Sequence, residues 1–189
     1  MNRVTITNNE YWTEFSALIG GRFNEAAYWY SAKAIYTYKG FSIVFDEYRG
    51  VTRVYCRFAY ARPIELRIDR ASFVNKIVNV FNGKLIKTND RKFDQRYVVH
   101  SSNRDIGSIL NTIVRKLYID LNIEGLFIST NKGIWEEEVL FDGHYELALY
   151  INEAGVDYDY LMQIKGLFEL LVDHLSSKYK VESVDFVDV

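Results

Sequence analysis

The sequence predicts an α+β domain, a mostly antiparallel sheet of meanders and hairpins packed by about four helices. Three observations lead there. Short segments in which apolar and polar residues alternate recur between glycine-bearing turns, the pattern of strands with one covered face. Aromatic residues make up 16% of the chain, with 15 Tyr and 12 Phe, and flat rings favour pleated surfaces. Four longer stretches instead carry apolar residues at helical spacing. The 189 residues are expected to form one domain, 1–189, with residues 1–24 as a candidate helical N-terminal addition. A compact chain of that length buries roughly 70% of its unfolded surface and needs no disulfide or metal to fold.

The first helix is expected over Asn8 to Ile19, where Trp12, Phe15 and Ile19 share a face and Gly20-Gly21 closes the last turn. Tyr28 to Tyr38 is β-prone, and Lys39-Gly40 turns the chain into Phe41–Glu47, with Phe41, Ile43 and Phe45 on one side. Arg49-Gly50 turns it again into Val51–Tyr60, where Val54, Cys56 and Phe58 alternate with Arg53, Tyr55 and Arg57. Pro63 separates this strand from Ile64–Ile68. Ala71 to Phe81 carries a helical stripe of Phe73, Ile77, Val80 and Phe81, ended by Gly83. Lys84–Lys87 and Arg96–His100 are short strands. Ser102 and Asp105 are placed to cap a helix over about 103–121, with Ile106, Ile109, Leu110, Ile113 and Leu117 inward. Leu126–Thr130, Ile134–Phe141 and Tyr145–Ile151 follow as strands, the last two joined by an Asp142-Gly143 hairpin signal. A long helix over about 157–178 turns Leu161, Ile164, Phe168, Leu171 and Leu175 inward, and Val181–Val189 is left as an edge strand or a frayed end. Residues 41–81 and 125–178 share an order of strands then helix, which fits meanders capped by helices as well as it fits a duplication.

Charge is unevenly spread along the chain. Residues 51–116 carry 14 Lys or Arg against the five acids Glu65, Asp69, Asp90, Asp94 and Asp105. Residues 117–189 carry four lysines against 15 acids, while the whole chain has a net charge of only −2. Such asymmetry marks surfaces that face a partner, or two halves that attract each other. The lone Cys56 excludes an internal disulfide and a multi-cysteine metal cluster. No apolar run approaches the roughly 18 residues of a membrane span. No signal peptide is legible from Met1 to Phe15, where Asn8, Asn9, Glu10 and Glu14 interrupt any apolar stretch. The expected location is therefore the cytoplasm, with no membrane insertion.

The run Phe93-Asp94-Gln95-Arg96-Tyr97-Val98-Val99-His100-Ser101, followed by an amphipathic stretch, resembles a segment of uncharacterised bacterial soluble domains of unknown function. Gly40-Phe41-Ser42-Ile43-Val44-Phe45-Asp46-Glu47-Tyr48 is similar to another part of the same domains. The resemblance covers the layout of about residues 25–175. It implies a bacterial α+β domain, one that in those proteins often follows a pair of membrane helices not found in this sequence, and it supplies no catalytic residue.

Signatures of chemistry are sparse. His100, His144 and His174 stand far apart, in neither H-x-x-x-H nor H-E-x-x-H spacing, so no metal site is expected. His174, late in the last helix, is expected to be solvated. No G-x-S-x-G elbow or G-K-[ST] phosphate loop occurs, and no cofactor is implied. Asp94 suits a turn in which its carboxylate accepts from backbone N–H groups. Glu136-Glu137-Glu138 cannot converge on one cation because consecutive strand residues face opposite sides, and Asp157 and Asp159 suit the start of the last helix.

The basic middle is what remains. Arg53, Tyr55 and Arg57 share one strand face, expected to be accessible, with Arg67 on a neighbouring strand. These four are the candidate binding residues. The expected function is a non-enzymatic bacterial interaction module that recognises another protein through charged and tyrosine-rich surfaces, with self-association open to it. Arginine interleaved with tyrosine also suits phosphates and bases, so nucleic-acid or polyanion binding through 51–116 is the second expectation. A small hydrolase or transferase whose residues meet only in space is the third.

Overall fold

The computed structural model describes residues 8–25, 31–48, 50–71, 84–102, 104–133, 138–151 and 155–184. Helix α1 (Asn8–Leu18) comes first, followed by strands β1 (Arg22–Asn24), β2 (Lys33–Tyr38), β3 (Phe41–Tyr48), β4 (Val51–Ala59), β5 (Leu66–Arg70) and β6 (Lys84–Ile86). Helix α2 (Arg91–Arg96), β7 (Tyr97–Ser101), a 3₁₀ helix (Arg104–Ile109) and α3 (Thr112–Asp120) make up the middle. The chain then forms β8 (Gly125–Ser129), β9 (His144–Ile151), the long α4 (Tyr158–Tyr179) and a short β10 (Glu182–Ser183). This is the expected α+β class.

The described strands form one sheet in the order β1-β2-β3-β4-β9-β8-β5-β7-β6, with β10 on β4, and every pairing is antiparallel. Consecutive strands need not be neighbours. β4 and β5 follow one another in sequence with Pro63 between them, yet β8 and β9 insert between them in the sheet. The tail does form an edge segment, Glu182 and Ser183 opposite Ala59 and Phe58.

One face of the sheet carries the main core. Ile43, Phe45, Val54, Cys56, Phe58, Leu66, Ile68, Val99, Leu126, Ile128, Leu147 and Leu149 alternate inward, as period-two side chains must, and are buried with the helices. Trp12 and Phe15 of α1 are fully buried, and Phe15 meets Phe45 edge to face at 5.0 Å. Burying a side chain of that size contributes roughly 1.5–3 kcal/mol. Leu161, Ile164, Phe168, Leu171 and Leu175 of α4 all lie inward, as their spacing predicts. Asp157 caps that helix, its carboxylate accepting from the Tyr160 N–H at 2.7 Å. Gly21 follows α1 where a Cβ would stand 2.4 Å from the Ile35 carbonyl oxygen, so only glycine permits that approach of helix end to sheet.

Several local expectations are corrected. The helix expected over 103–121 divides into the 3₁₀ helix and α3. Ser102 accepts from the Glu65 N–H instead of capping, and Asn111 opens α3 by accepting from the Val114 N–H at 2.9 Å. The restart changes the helix phase, so Val114 and Tyr118 are buried and Ile113 faces solvent. His174 is half-buried at 2.7 Å from the Asn111 amide rather than solvated. Asp94 sits in the unpredicted α2, where its carboxylate accepts from the N–H and hydroxyl of Thr88. The helix expected over 71–81 lies outside the described residues. So does half of the strand expected over Ile134–Phe141; the rest makes one bridge, Asn131 to Val139, and leaves Val139 and Phe141 exposed.

Cys56 lies on the covered face between Val54 and Phe58, almost without exposure. Burial, followed by the nearby Glu146 charge, pushes its thiol far above the ordinary range. A maleimide should label it very slowly in the native protein and promptly in denaturant. Rapid stoichiometric labelling without denaturant would mean that the faces of β4 are reversed.

Candidate functional site

Arg53, Tyr55 and Arg57 do share one side of β4, the side opposite the helices. The expectation that this side is accessible is overturned for Arg53 and Tyr55, while Arg57 keeps partial exposure. Arg53 is 6% exposed and Tyr55 3%, and Tyr55 belongs to a second buried cluster with Ile35, Val44, Phe127, Ala148 and Tyr150. Alternation reveals which residues share a face, and says nothing of whether chain from elsewhere covers it. Part of the cover is the connection after β8. The Gly133 N–H donates to Glu146 at 2.9 Å, and a Cβ on Gly133 would stand 3.0 Å from the Arg53 guanidinium and 3.1 Å from the Tyr150 hydroxyl.

Each candidate arginine is held by a carboxylate. Arg53 donates twice to Asp46, at 3.0 and 2.7 Å, and its guanidinium lies 4.3 Å from the Tyr55 ring centre. Burial works against the Arg53 charge, but the hydrogen bonds and field of Asp46 outweigh it and raise its pKa. Arg57 donates to Glu146 at 3.1 Å. Burial pushes the Glu146 carboxyl above its ordinary value, opposed by Arg53, Arg57 and the Gly133 N–H. Arg67 donates to Asp69 on its own strand. It does not neighbour β4: Phe127 and Ala148 lie between Arg67 and Tyr55 in one row across four strands. The structure thus brings Arg53, Tyr55 and Arg57 together, keeps Arg67 apart, and commits all three guanidinium groups to acids of the same chain. Phosphates would have to displace those acids, so this constellation does not support nucleic-acid binding.

An open site lies elsewhere, where α1 meets the segment leading into α4. A cleft of about 600 Å³ is lined by Asn8, Tyr11, Glu14, Glu47, Gly155, Val156, Asp157 and Tyr158. The Tyr11 hydroxyl donates to the Val156 carbonyl. The Tyr158 hydroxyl is 2.8 Å from the Glu14 carboxylate and 3.2 Å from the Tyr11 carbonyl, and the two rings stand 5.2 Å apart. These contacts tie α1 to the segment leading into α4.

The far side of Val156-Asp157 opens on a second cleft of about 580 Å³, whose lining includes Asp120, Glu124, Arg70 and Tyr160. There the Tyr160 hydroxyl donates to the Leu121 carbonyl, and Arg70 is bonded to Glu124 at 3.0 Å. The pair of clefts therefore carries Glu14, Glu47, Asp157, Asp120 and Glu124 against one arginine. The field is negative. Burial, then the charge of Glu14, pushes the Tyr158 phenol up to about 12. Burial, then Tyr158, Glu47 and Asp157, raises Tyr11 further.

Sequence reasoning did not reach this site. Its density of acids and tyrosines was legible, but Tyr11 and Val156 are 145 residues apart and no spacing rule joins them. Among the described residues, no group of three or more His, Cys, Asp or Glu is placed to hold a metal ion. No described helix is long and apolar enough to cross a membrane.

No protein-family model matches the chain, and no curated protein does. Among solved structures the fold is similar to the crystal structure of the mycobacterial trehalose monomycolate transport factor A, TtfA. The likeness has a TM-score of 0.57 at 7% sequence identity, and covers 88% of this chain and 93% of that one. It is a likeness of fold.

Proposed function

We propose that the protein is a non-enzymatic interaction module whose acidic, tyrosine-lined cleft receives a cationic segment of a partner protein. The observation that supports this best is the cleft between α1 and the entry to α4, which Glu14, Glu47 and Asp157 line together with Tyr11 and Tyr158. Lysine and arginine side chains suit both features, the carboxylates by charge and the ring faces by cation–π contact, each such contact contributing about 0.5–1 kcal/mol at an exposed site. The role named for TtfA, transport, is that protein's own. The fold it shares contributes only a sheet and helices able to present such a cleft.

The reading differs from the sequence expectation in location. Charged and tyrosine-rich surfaces remain the means of recognition, but they stand at the start of α1 and α4 rather than on β4. The test is titration with a labelled lysine- and arginine-rich peptide, comparing the native protein with Glu47→Lys and Glu14→Gln. Both positions are at least partly exposed, so folding should survive. Binding that weakens steeply with salt and falls about tenfold in Glu47→Lys is expected. Equal binding by all three proteins would remove the cleft from the reading.

A further inference from the structure

The basic field predicted for the middle of the chain does reach the surface, at the opposite end of the sheet order from β1. Lys84 and Lys87 at β6, Arg91, Lys92 and Arg96 on α2, and Lys116 on α3 are all exposed. The two acids among them are already engaged. Asp90 caps α2 by accepting from the Lys92 and Phe93 N–H groups, and Arg115 of α3 donates to it at 3.2 Å. Asp94 is bonded to Thr88. None of the six cations forms an ion pair among the described residues. The bridge from Asp90 to Arg115 links α2 to α3 beneath this shoulder of cations.

β6 is also the last described strand on its side of the sheet. It is three residues long, pairs with β7 on one edge, and leaves Leu85 56% exposed. Lysines beside a short edge strand discourage pairing with a neutral or basic strand. They favour an acidic one, which would satisfy charge and backbone together.

We propose that β6, α2 and the adjoining surface of α3 form a second docking surface, which takes an acidic segment of a partner protein as an added strand on β6. This goes beyond the cleft and does not depend on it. A nucleic acid would use the charge but not the strand edge. It would also look for exposed rings to stack on, whereas Phe93, Tyr97 and Tyr118, the aromatic residues described on α2, β7 and α3, are buried.

The probe is a labelled peptide of alternating glutamate and valine, measured beside a single-stranded oligonucleotide and phosphatidylserine vesicles. The peptide should bind, slow amide exchange over Lys84–Ile86, and lose about tenfold or more in affinity in the Lys84→Glu, Lys92→Glu double variant. Glu47→Lys, at the cleft, should bind it as the native protein does, which separates failure here from failure of the cleft. Three results would overturn the proposal: no peptide binding, peptide binding without protection of β6, or binding of the oligonucleotide or vesicles in place of the peptide.

Discussion

Replacing Arg53 by Ala is expected to destabilise the protein by about 3–5 kcal/mol, the range for removing one partner of a buried ion pair. The reason is what remains behind. Asp46 has no solvent exposure, and Arg53 gives it two hydrogen bonds. Without the guanidinium, the buried carboxylate loses both of those donors in a layer otherwise built from Ile35, Val44 and Tyr150. The double replacement of Arg53 by Met and Asp46 by Leu should cost far less than the single change, because it removes both charges and keeps apolar volume. Urea denaturation of the three proteins measures this. An Arg53→Ala variant within about 0.5 kcal/mol of the native protein would mean that water reaches the pair. The same arithmetic bears on function: a charge reversal at Arg53 or Arg57 disturbs folding before it disturbs any binding, so the accessible cleft and shoulder are the places for charge-reversal tests.

How far the sequence reached depended on the range of the interaction that decides each feature. Strands β2 to β4, β8 and β9 and helices α1 and α4 were legible because local periodicity and capping set them. Asp157 before an inward stripe of five apolar residues is such a case. The break before α3 was not legible, because Asn111 competes with Ser102 as a cap and only tertiary contact decides: Ser102 is taken by Glu65 from a distant turn. β1 and α2 are three and six residues long, too short for a period to register. Insertion of β8 and β9 between β4 and β5 moved Arg67 away from Arg57, and no property of residues 51–70 announces it. The same long-range assembly hid the cleft while turning the most suggestive basic strand into an interior one. The charge asymmetry was real, and the structure divides it: Arg57 and Arg70 pair with Glu146 and Glu124 of the acidic third, while the lysines and arginines from 84 to 96 remain outside.

A steep loss of stability above about pH 10 is expected, because so many of the protein's phenols are held neutral by burial. Desolvation is the first cause of a raised pKa at Tyr36, Tyr55, Tyr97, Tyr118 and Tyr158, each from an ordinary value of 10.0. Below that value both folded and unfolded chains keep the proton, and the phenols add no pH dependence. Above it the unfolded chain releases protons that the folded one retains, so stability falls by up to roughly 1.4 kcal/mol per pH unit for each buried phenol, and by less for Tyr158, which solvent screens. The fall continues until the folded phenol itself ionises, near 12 for Tyr158, while burial holds the Tyr118 phenol well above its ordinary value. Tyr118 gives the sharpest test. Its hydroxyl is buried and makes no hydrogen bond among the described residues, so Tyr118→Phe removes an unsatisfied group along with an ionisable one. That variant should gain about 1 kcal/mol at neutral pH and show a shallower alkaline slope. Denaturation at a series of pH values, followed beside the ultraviolet absorbance of phenolate, would measure both. Should all 15 tyrosines ionise together near pH 10 while the protein remains folded, the aromatic interior described here would be wrong.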